Sequence, residues 1–381
     1  MPFSGVVFSN VSGAETAAPG QIVQSTVWNN IHTDYGTALT QLMSQVTTLI
    51  SNRNLLEANG SADVWQRGAG NTASIAVAAS TTAYTTDRWY IVTGANQASV
   101  IAATTPLSDE SFLSANILRN AGQTGTTALT FGYPFGTREL ARILGNKVTL
   151  SGLIKAGANF SPTNGTLTVA FYVGTGTASK RGAGFTSETT VVSISTNLTP
   201  GGATVAISGV SANTVPLTST QGEVQFTWTP VGTAGAADSF TFDDMQLESN
   251  LSASTWTGTS YDRIPFLQQI AFCKEHYQKT FTYSTAPAQN AGALGALAVV
   301  AQATSRVSIW WEFPVEFRTT PTITTFNTSG ANENWQNITT VATSAVTVVA
   351  SITNSKSTVF VTATVALDNF LYIQAQADAG I

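Results

Sequence analysis

Short segments of alternating or β-branched residues dominate the chain from Asn54 onward. In LTVAFYV at 167–173 and in VQFTW at 224–228, every second residue is apolar. Clusters of Gly, Pro, Asn and Ser separate such segments, as in SPTNG at 161–165. This pattern predicts many short strands joined by turns, which is typical of a β-sandwich or jelly roll. The predicted fold class is therefore mainly β, with two antiparallel β-sandwich or jelly-roll domains.

Two segments have helical periodicity instead. In the first, apolar residues recur at heptad spacing, which predicts a short coiled coil that holds copies of the chain together. The alternative is an amphipathic helix packed on its own domain. The stripe consists of Trp28, Ile31, Tyr35, Ala38, Leu42 and Leu49. In the second segment, Phe266, Ile270, Cys273 and Tyr277 share one helical face.

These patterns predict five parts along the chain. An extended docking arm is followed by an oligomerising helix, a jelly-roll sandwich, a short helical connector and a C-terminal β-sandwich. Their predicted bounds are 1–22, 23–53, 54–258, 259–283 and 284–381, in that order.

The composition excludes several classes of protein. Charged residues make up 10 % of the chain, against about 25 % in ordinary soluble domains. The net charge of −5 gives no electrostatic footprint for nucleic acid. No apolar run is long enough to cross a bilayer, and the N-terminus has no pattern of a signal peptide. With Cys273 as its one cysteine, the chain cannot form an internal disulfide.

The sequence has few signs of catalysis or cofactor binding. It lacks a nucleophile elbow and a phosphate-binding loop, and His276 lies in the charged stretch KEHYQK, which is typical of a solvated helix face. Asp243 and Asp244 are adjacent, and neighbours in a strand point to opposite faces. We therefore predict that the protein is not an enzyme. A structural calcium at Asp243 is the best metal hypothesis, if Glu57 or Asp63 meets this acidic pair; the alternative is a solvated strand end.

Trp335 is the candidate for glycan contact. It lies in the polar stretch SGANENWQN, beside Asn332, Glu333 and Asn334. Sugars stack on flat aromatic rings that amide and carboxylate groups flank, so we predict that these four residues bind glycan. The alternative is that Trp335 folds back onto the sandwich. Of the adjacent pair Trp310 and Trp311, one should be exposed, because side chains alternate along a strand.

Several stretches resemble a known family. NLLEANGSADVWQRG at 54–68, TTDRWYI at 85–91 and SFTFDDMQLE at 239–248 resemble the jelly-roll domain of bacteriophage tail-fibre and other virion structural proteins. That domain is similar to carbohydrate-binding modules. The segments 20–42 and 261–280 also resemble parts of such fibres.

The resemblance assigns roles to individual residues. Trp65 and Arg67 match the opening motif. Asp87, Arg88 and Trp89 match the central one. The closing motif is matched by Asp243 and Asp244, and the resemblance implies that Asp243 helps to hold a structural calcium.

The resemblance also implies a function. It predicts a homotrimeric fibre or receptor-binding protein of a bacteriophage virion, docked to other virion proteins through its N-terminal arm and bound to a glycan of the host surface. It implies neither nucleic-acid binding nor membrane insertion. Three alternatives remain: a head or neck fibre, a carbohydrate-binding adhesin module, and a glycan depolymerase spike.

Overall fold

The computed structural model describes eight parts of the chain, namely residues 35–39, 54–109, 111–250, 261–302, 306–339, 344–346, 348–362 and 365–380. The chain divides into two compact units, Met1–Arg53 and Asn54–Ile381. None of the described helices is long and apolar enough to cross a membrane.

Residues 35–39 of the first unit form a helical turn. Tyr35 and Leu39 are exposed there, and Ala38 is half-buried. The arm 1–22 and the other four residues of the predicted stripe lie outside the described residues. Those four are Trp28, Ile31, Leu42 and Leu49.

The second unit begins with a sandwich of two six-stranded antiparallel sheets. The first sheet has the order β1 (Ser74–Val77), β4 (Ser99–Thr104), β5 (Ser114–Arg119), β12 (Ser239–Asn250), β7 (Lys147–Ala156) and β10 (Val205–Val210). The second has the order β2 (Thr82–Tyr84), β3 (Tyr90–Val92), β6 (Leu129–Phe135), β11 (Gln221–Trp228), β8 (Thr166–Gly174) and β9 (Thr189–Asn197). The mainly β class and the sandwich predicted from strand alternation are confirmed.

An aromatic core lies between the two sheets. The Trp89 ring stacks on Phe131 from the second sheet, with 5.3 Å between the ring centroids. Its centroid lies 4.8 Å from that of Phe242 on the first sheet. Phe131 on β6 and Phe242 on β12 occupy inward-facing positions of their strands. Side chains alternate between the two faces of a strand, so apolar and polar residues alternate in these segments. The first and last chain segments of the sandwich also lie side by side, and Leu55 N donates a hydrogen bond to Leu247 O at 2.9 Å.

In the described part of the second unit, two α-helices accompany the sheets, α1 (Thr137–Leu140) and α2 (Phe266–Lys274). Pro265 is the N-cap of α2, and the helix is shorter than the predicted connector 259–283. Cys273 is buried, as its apolar helical face predicts. His276 follows the helix and is also buried, so its interpretation as a solvated helix residue was wrong. Its segment does not continue as helix but turns into a strand.

The C-terminal part contains two more antiparallel sheets. The larger is built around β21 (Phe370–Asp378), which pairs with β13 (Tyr277–Lys279), β14 (Leu297–Val300), β16 (Thr322–Phe326) and β17 (Trp335–Asn337), while β18 (Ser344–Val346) extends β17. The smaller has the order β15 (Ser308–Glu312), β20 (Ser357–Thr362) and β19 (Val348–Thr353). Trp311, Phe360 and Ile373 belong to one apolar core that both sheets share.

Trp335 is fully buried in this core, which corrects the predicted glycan site. The polar residues before it form a turn, in which the Asn332 side chain accepts hydrogen bonds from Asn327 and from the backbone of Asn334. The strand then begins at Trp335, whose side chain lies in this core. With Trp335 inaccessible, Asn332, Glu333 and Asn334 have no exposed aromatic ring beside them in this loop.

The prediction for the adjacent tryptophans is confirmed. Trp310 is 67 % exposed and Trp311 is 7 % exposed. They are neighbours on β15, so their side chains point to opposite faces of the smaller sheet.

Candidate functional site

The residues of the opening and central motifs form a buried polar junction. Asn59 donates from its amide to Val64 O, to Thr86 Oγ1 and to Asp87 O at 2.8–3.0 Å. The Asp87 carboxylate in turn accepts from Gln66 N at 2.5 Å. Burial raises the pKa of Asp87 to about 6, although Arg67 and these hydrogen bonds act to lower it. The motif therefore holds the first segment of the sandwich in place.

Arg67 joins the sandwich to the last strand of the chain. Its guanidinium forms a bidentate ion pair with Asp378, at 2.5 and 3.0 Å. It also lies over the rings of Tyr84 and Tyr277, 4.6 and 4.1 Å from their centroids. Burial acts to raise the pKa of Asp378, but Arg67 outweighs it and holds that pKa below its usual value.

Arg88 makes a second link across the same boundary. It donates to Pro134 O at 2.9 Å, pairs with Glu139 at 3.0 Å and contacts Nε2 of His276. His276 Nδ1 lies 3.0 Å from Gly380 O. Burial and the charge of Arg88 keep the pKa of His276 well below its usual value. We therefore assign a neutral ring with its proton on Nδ1, so that both nitrogens are engaged.

A β-bulge brings Asp243 and Asp244 together. The register of β12 against β7 shifts after Asp243, and Asp244 has a φ of +50°. As a result, Ser111 Oγ lies 2.7 Å from Asp243 and 2.9 Å from Asp244. The expectation that the two carboxylates point to opposite faces was wrong, because it assumed a regular strand.

These carboxylates do not fit a calcium ion. Asp243 already accepts from the hydroxyls of Ser111 and Ser114 and from the backbone N–H groups of Leu107 and Asp244. Calcium needs six to eight oxygens with lone pairs directed at the ion, and these lone pairs are engaged with N–H and O–H donors. Among the described residues, no group of three or more His, Cys, Asp and Glu is placed to hold a metal.

An arginine provides the positive charge at this place. Arg263 Nη2 lies 2.6 Å from Asp244, and its Nη1 lies 3.4 Å from Asp63. The predicted meeting of Asp63 with the acidic pair thus occurs through a guanidinium. Glu57, the other predicted partner, pairs with Arg142 at 2.8 Å.

Beside Arg263 lies an open cleft of about 490 Å³, between the sandwich and α2. We call it the aromatic cleft. Phe112, Phe266 and Tyr283 line it together with Ile264. Phe112 is 60 % exposed and Phe266 is 40 % exposed, whereas the Tyr283 hydroxyl is fixed by Trp65 N at 3.0 Å. The rings of Phe266 and Tyr283 are nearly perpendicular, with centroids 5.8 Å apart.

Polar groups complete the aromatic cleft. Gln269 lines it and is 2 % exposed, and its Oε1 has no hydrogen-bond partner within the part of the chain that the structure describes. Asp63, Arg263 and Asn71 line it as well. A buried amide oxygen without a partner costs free energy unless a ligand or water supplies a donor. The cleft thus combines exposed aromatic rings with unused hydrogen-bonding capacity.

No protein-family model and no curated protein sequence matches the chain. Among solved structures, the chain is similar to the CBM22-1–GH10 part of xylanase 10B from Clostridium thermocellum, with 9 % identity and a TM-score of 0.28 over 52 % of this chain and 29 % of that one. It is similar to a xylan-binding domain of CBM22, with 12 % identity and a TM-score of 0.27 over 44 % and 90 % of the two chains. A cyclase from Fischerella sp. is similar at 12 % identity and a TM-score of 0.30, over 47 % and 91 %.

Proposed function

We propose that the chain is a carbohydrate-binding adhesin that holds a glycan in the aromatic cleft. The observation that carries this proposal is the cleft itself, where exposed phenyl rings stand beside the unpartnered amide oxygen of Gln269. This is the adhesin alternative of the sequence analysis, with Phe112, Phe266 and Tyr283 in the place given there to Trp335.

The chemistry of the cleft suits a saccharide. A pyranose ring presents C–H groups on one face, which pack on an aromatic ring, and hydroxyls at its edge. In a bound saccharide, those hydroxyls would donate to Gln269 Oε1 and accept from Asn71 and Arg263. The volume of about 490 Å³ lies within the usual range for small-molecule sites. Binding of this kind changes no covalent bond, so the proposal includes no catalysis.

Phe266→Ala should weaken glycan binding at least about tenfold, because truncation of a contacting aromatic ring typically costs more than about 1 kcal/mol. Phe266 is 40 % exposed, so the variant keeps the core intact. A panel of neutral oligosaccharides identifies a saccharide that the wild-type chain binds, and titration calorimetry then gives the two dissociation constants.

Phe370→Ala is the matched control, because Phe370 is 41 % exposed and does not line the aromatic cleft. It should bind the saccharide as the wild-type chain does. Equal binding by the Phe266 and Phe370 variants would contradict the proposal.

We further propose that this adhesin is part of a bacteriophage virion fibre. This proposal is supported by the resemblance of the sequence and by the exposed Tyr35 and Leu39 in the helical turn 35–39. Such apolar side chains fit self-association through the first unit. The fibre would display the aromatic cleft to a host surface.

A particle mass of three times the chain mass of 39.8 kDa is the expected result for the full chain in solution. Light scattering after size-exclusion chromatography measures it. A chain that stays monomeric at high concentration would refute the trimer and leave glycan binding untouched.

A further inference from the structure

A second, polar cleft of about 610 Å³ lies between α1 and the C-terminal sheets. Arg138 and Glu139 line it on the side of the sandwich. Glu275, Glu316 and Arg318 line it on the other side, and none of these residues lines the aromatic cleft. We call it the polar cleft.

Two of the three acids in the polar cleft are already paired. Glu139 accepts from Gly136 N at 2.6 Å and pairs with Arg88 at 3.0 Å. Glu316 accepts from Ser355 Oγ at 2.9 Å and lies 3.7 Å from Lys356. Glu139 therefore has a buried partner, whereas the pair of Glu316 with Lys356 is exposed to solvent.

Arg318 is a half-buried cation that forms no direct ion pair among the described residues. Among the described residues, no carboxylate lies within 4.0 Å of its guanidinium. Burial, and next the charge of Arg88, lower its pKa, whereas the carboxylates of Glu139 and Glu275 in the same cleft act to raise it. The guanidinium lies against Gly136, where a Cβ atom would come within 2.9 Å of Nη1 and Nη2. Gly136 therefore leaves space for the planar guanidinium of Arg318 at the wall of the cleft.

We propose that the polar cleft binds an acidic saccharide, with its carboxylate or sulfate group held by the guanidinium of Arg318. A guanidinium recognises such groups with two parallel hydrogen bonds. Arg138 is exposed in the same cleft and adds a second positive charge. The volume is far larger than one small anion needs, and the remaining wall offers Thr137, Ser355 and Glu275 to sugar hydroxyls. This site is separate from the proposed glycan site in the aromatic cleft.

Titration calorimetry with three trisaccharide probes tests the proposal on the full chain. The probes are a trimer of galacturonic acid, a sulfated galactose trimer and the neutral galactose trimer. The wild-type chain should bind at least one acidic probe ten times more tightly than the neutral one, and added salt should weaken that binding. The comparison of the two acidic probes distinguishes a carboxylate from a sulfate.

Arg318→Gln should weaken binding of the acidic probe at least tenfold, whereas Arg306→Gln should leave it unchanged. Arg306 is exposed in the C-terminal part and lies outside the polar cleft, so the control removes the same charge. Phe266→Ala should also leave it unchanged, which separates this test from that of the aromatic cleft. Equal losses in the Arg318 and Arg306 variants, or equal binding of acidic and neutral probes, would overturn the proposal. Inorganic sulfate that competes as well as the saccharide would also overturn it, because the site would then hold a free anion only.

Discussion

Arg67→Met should lower the free energy of unfolding by about 3 kcal/mol, because it leaves Asp378 without its partner in a largely buried place. The side chain of Arg67 is 12 % exposed and that of Asp378 is 31 % exposed. Both hydrogen bonds of the bidentate pair and both ring contacts of the guanidinium are lost at once. Urea unfolding followed by tryptophan fluorescence measures the change.

A double-mutant cycle isolates the ion pair. Asp378→Asn alone leaves a buried cation, whereas the double variant removes both charges, so the two losses should add to more than the loss in the double variant. Arg306→Met, at an exposed position, is the matched control and should change stability by less than about 0.5 kcal/mol. Simple additivity of the two single variants would show that the pair does not join the sandwich to β21.

Glu223→Gln should remove a pH dependence of stability worth about 2–3 kcal/mol between pH 5 and pH 8. Glu223 is fully buried, and the Tyr90 hydroxyl, which donates to this carboxyl group, lies 2.8 Å from each of its oxygens. Burial raises its pKa from 4.5 to about 7. The folded chain thus binds this proton more tightly than the unfolded chain, so its stabilising effect is present at acid pH and is lost as pH rises toward 7.

The relevant quantity is the difference between the wild-type chain and the variant at each pH. His276 acts in the opposite direction, since its lowered pKa favours unfolding as pH falls below 6.5. This contribution cancels in the difference, because both proteins contain His276. Glu312→Gln removes an exposed carboxyl and is the matched control. Parallel stability profiles for the wild-type chain and the Glu223 variant would contradict the account of this buried carboxyl.

Much of the fold could be predicted from the sequence. The alternation in 167–173 and 224–228 predicts strands, and the structure has β8 and β11 there. The alternation does not reveal that β11 is buried on both faces, because its outward-facing Glu223 and Gln225 are buried as well. Adjacent Trp310 and Trp311 follow from the same period of two. These predictions succeed because the periodicity of a strand is a local property of the chain.

The errors came from features that depend on tertiary structure. Trp335 follows a polar run, which marks a turn, but the sequence does not reveal that a strand starts at the tryptophan and faces the core. Asp243 and Asp244 required a bulge, and its positive φ at Asp244 has no clear signal in the sequence. His276 looked solvated because its neighbours are charged, although the strand after α2 carries it inward.

The aromatic cleft could not be found from any one motif. Phe112 lies before β5, Phe266 begins α2 and Tyr283 follows β13, so the three rings come from separate segments. The one available signal was a phenylalanine directly after Pro265, at the start of a helix. In the same way, the role proposed for Arg318 depends on its closeness to Gly136 and on the charge of Arg88, and both residues are distant from it in the sequence.

A crystal structure of the full chain with a bound neutral oligosaccharide tests the central proposal most directly. We expect a sugar ring packed on Phe112 or Phe266 and a hydroxyl within hydrogen-bond distance of Gln269 Oε1. A saccharide bound elsewhere, for example on the exposed ring of Trp310, with the aromatic cleft empty, would contradict the account.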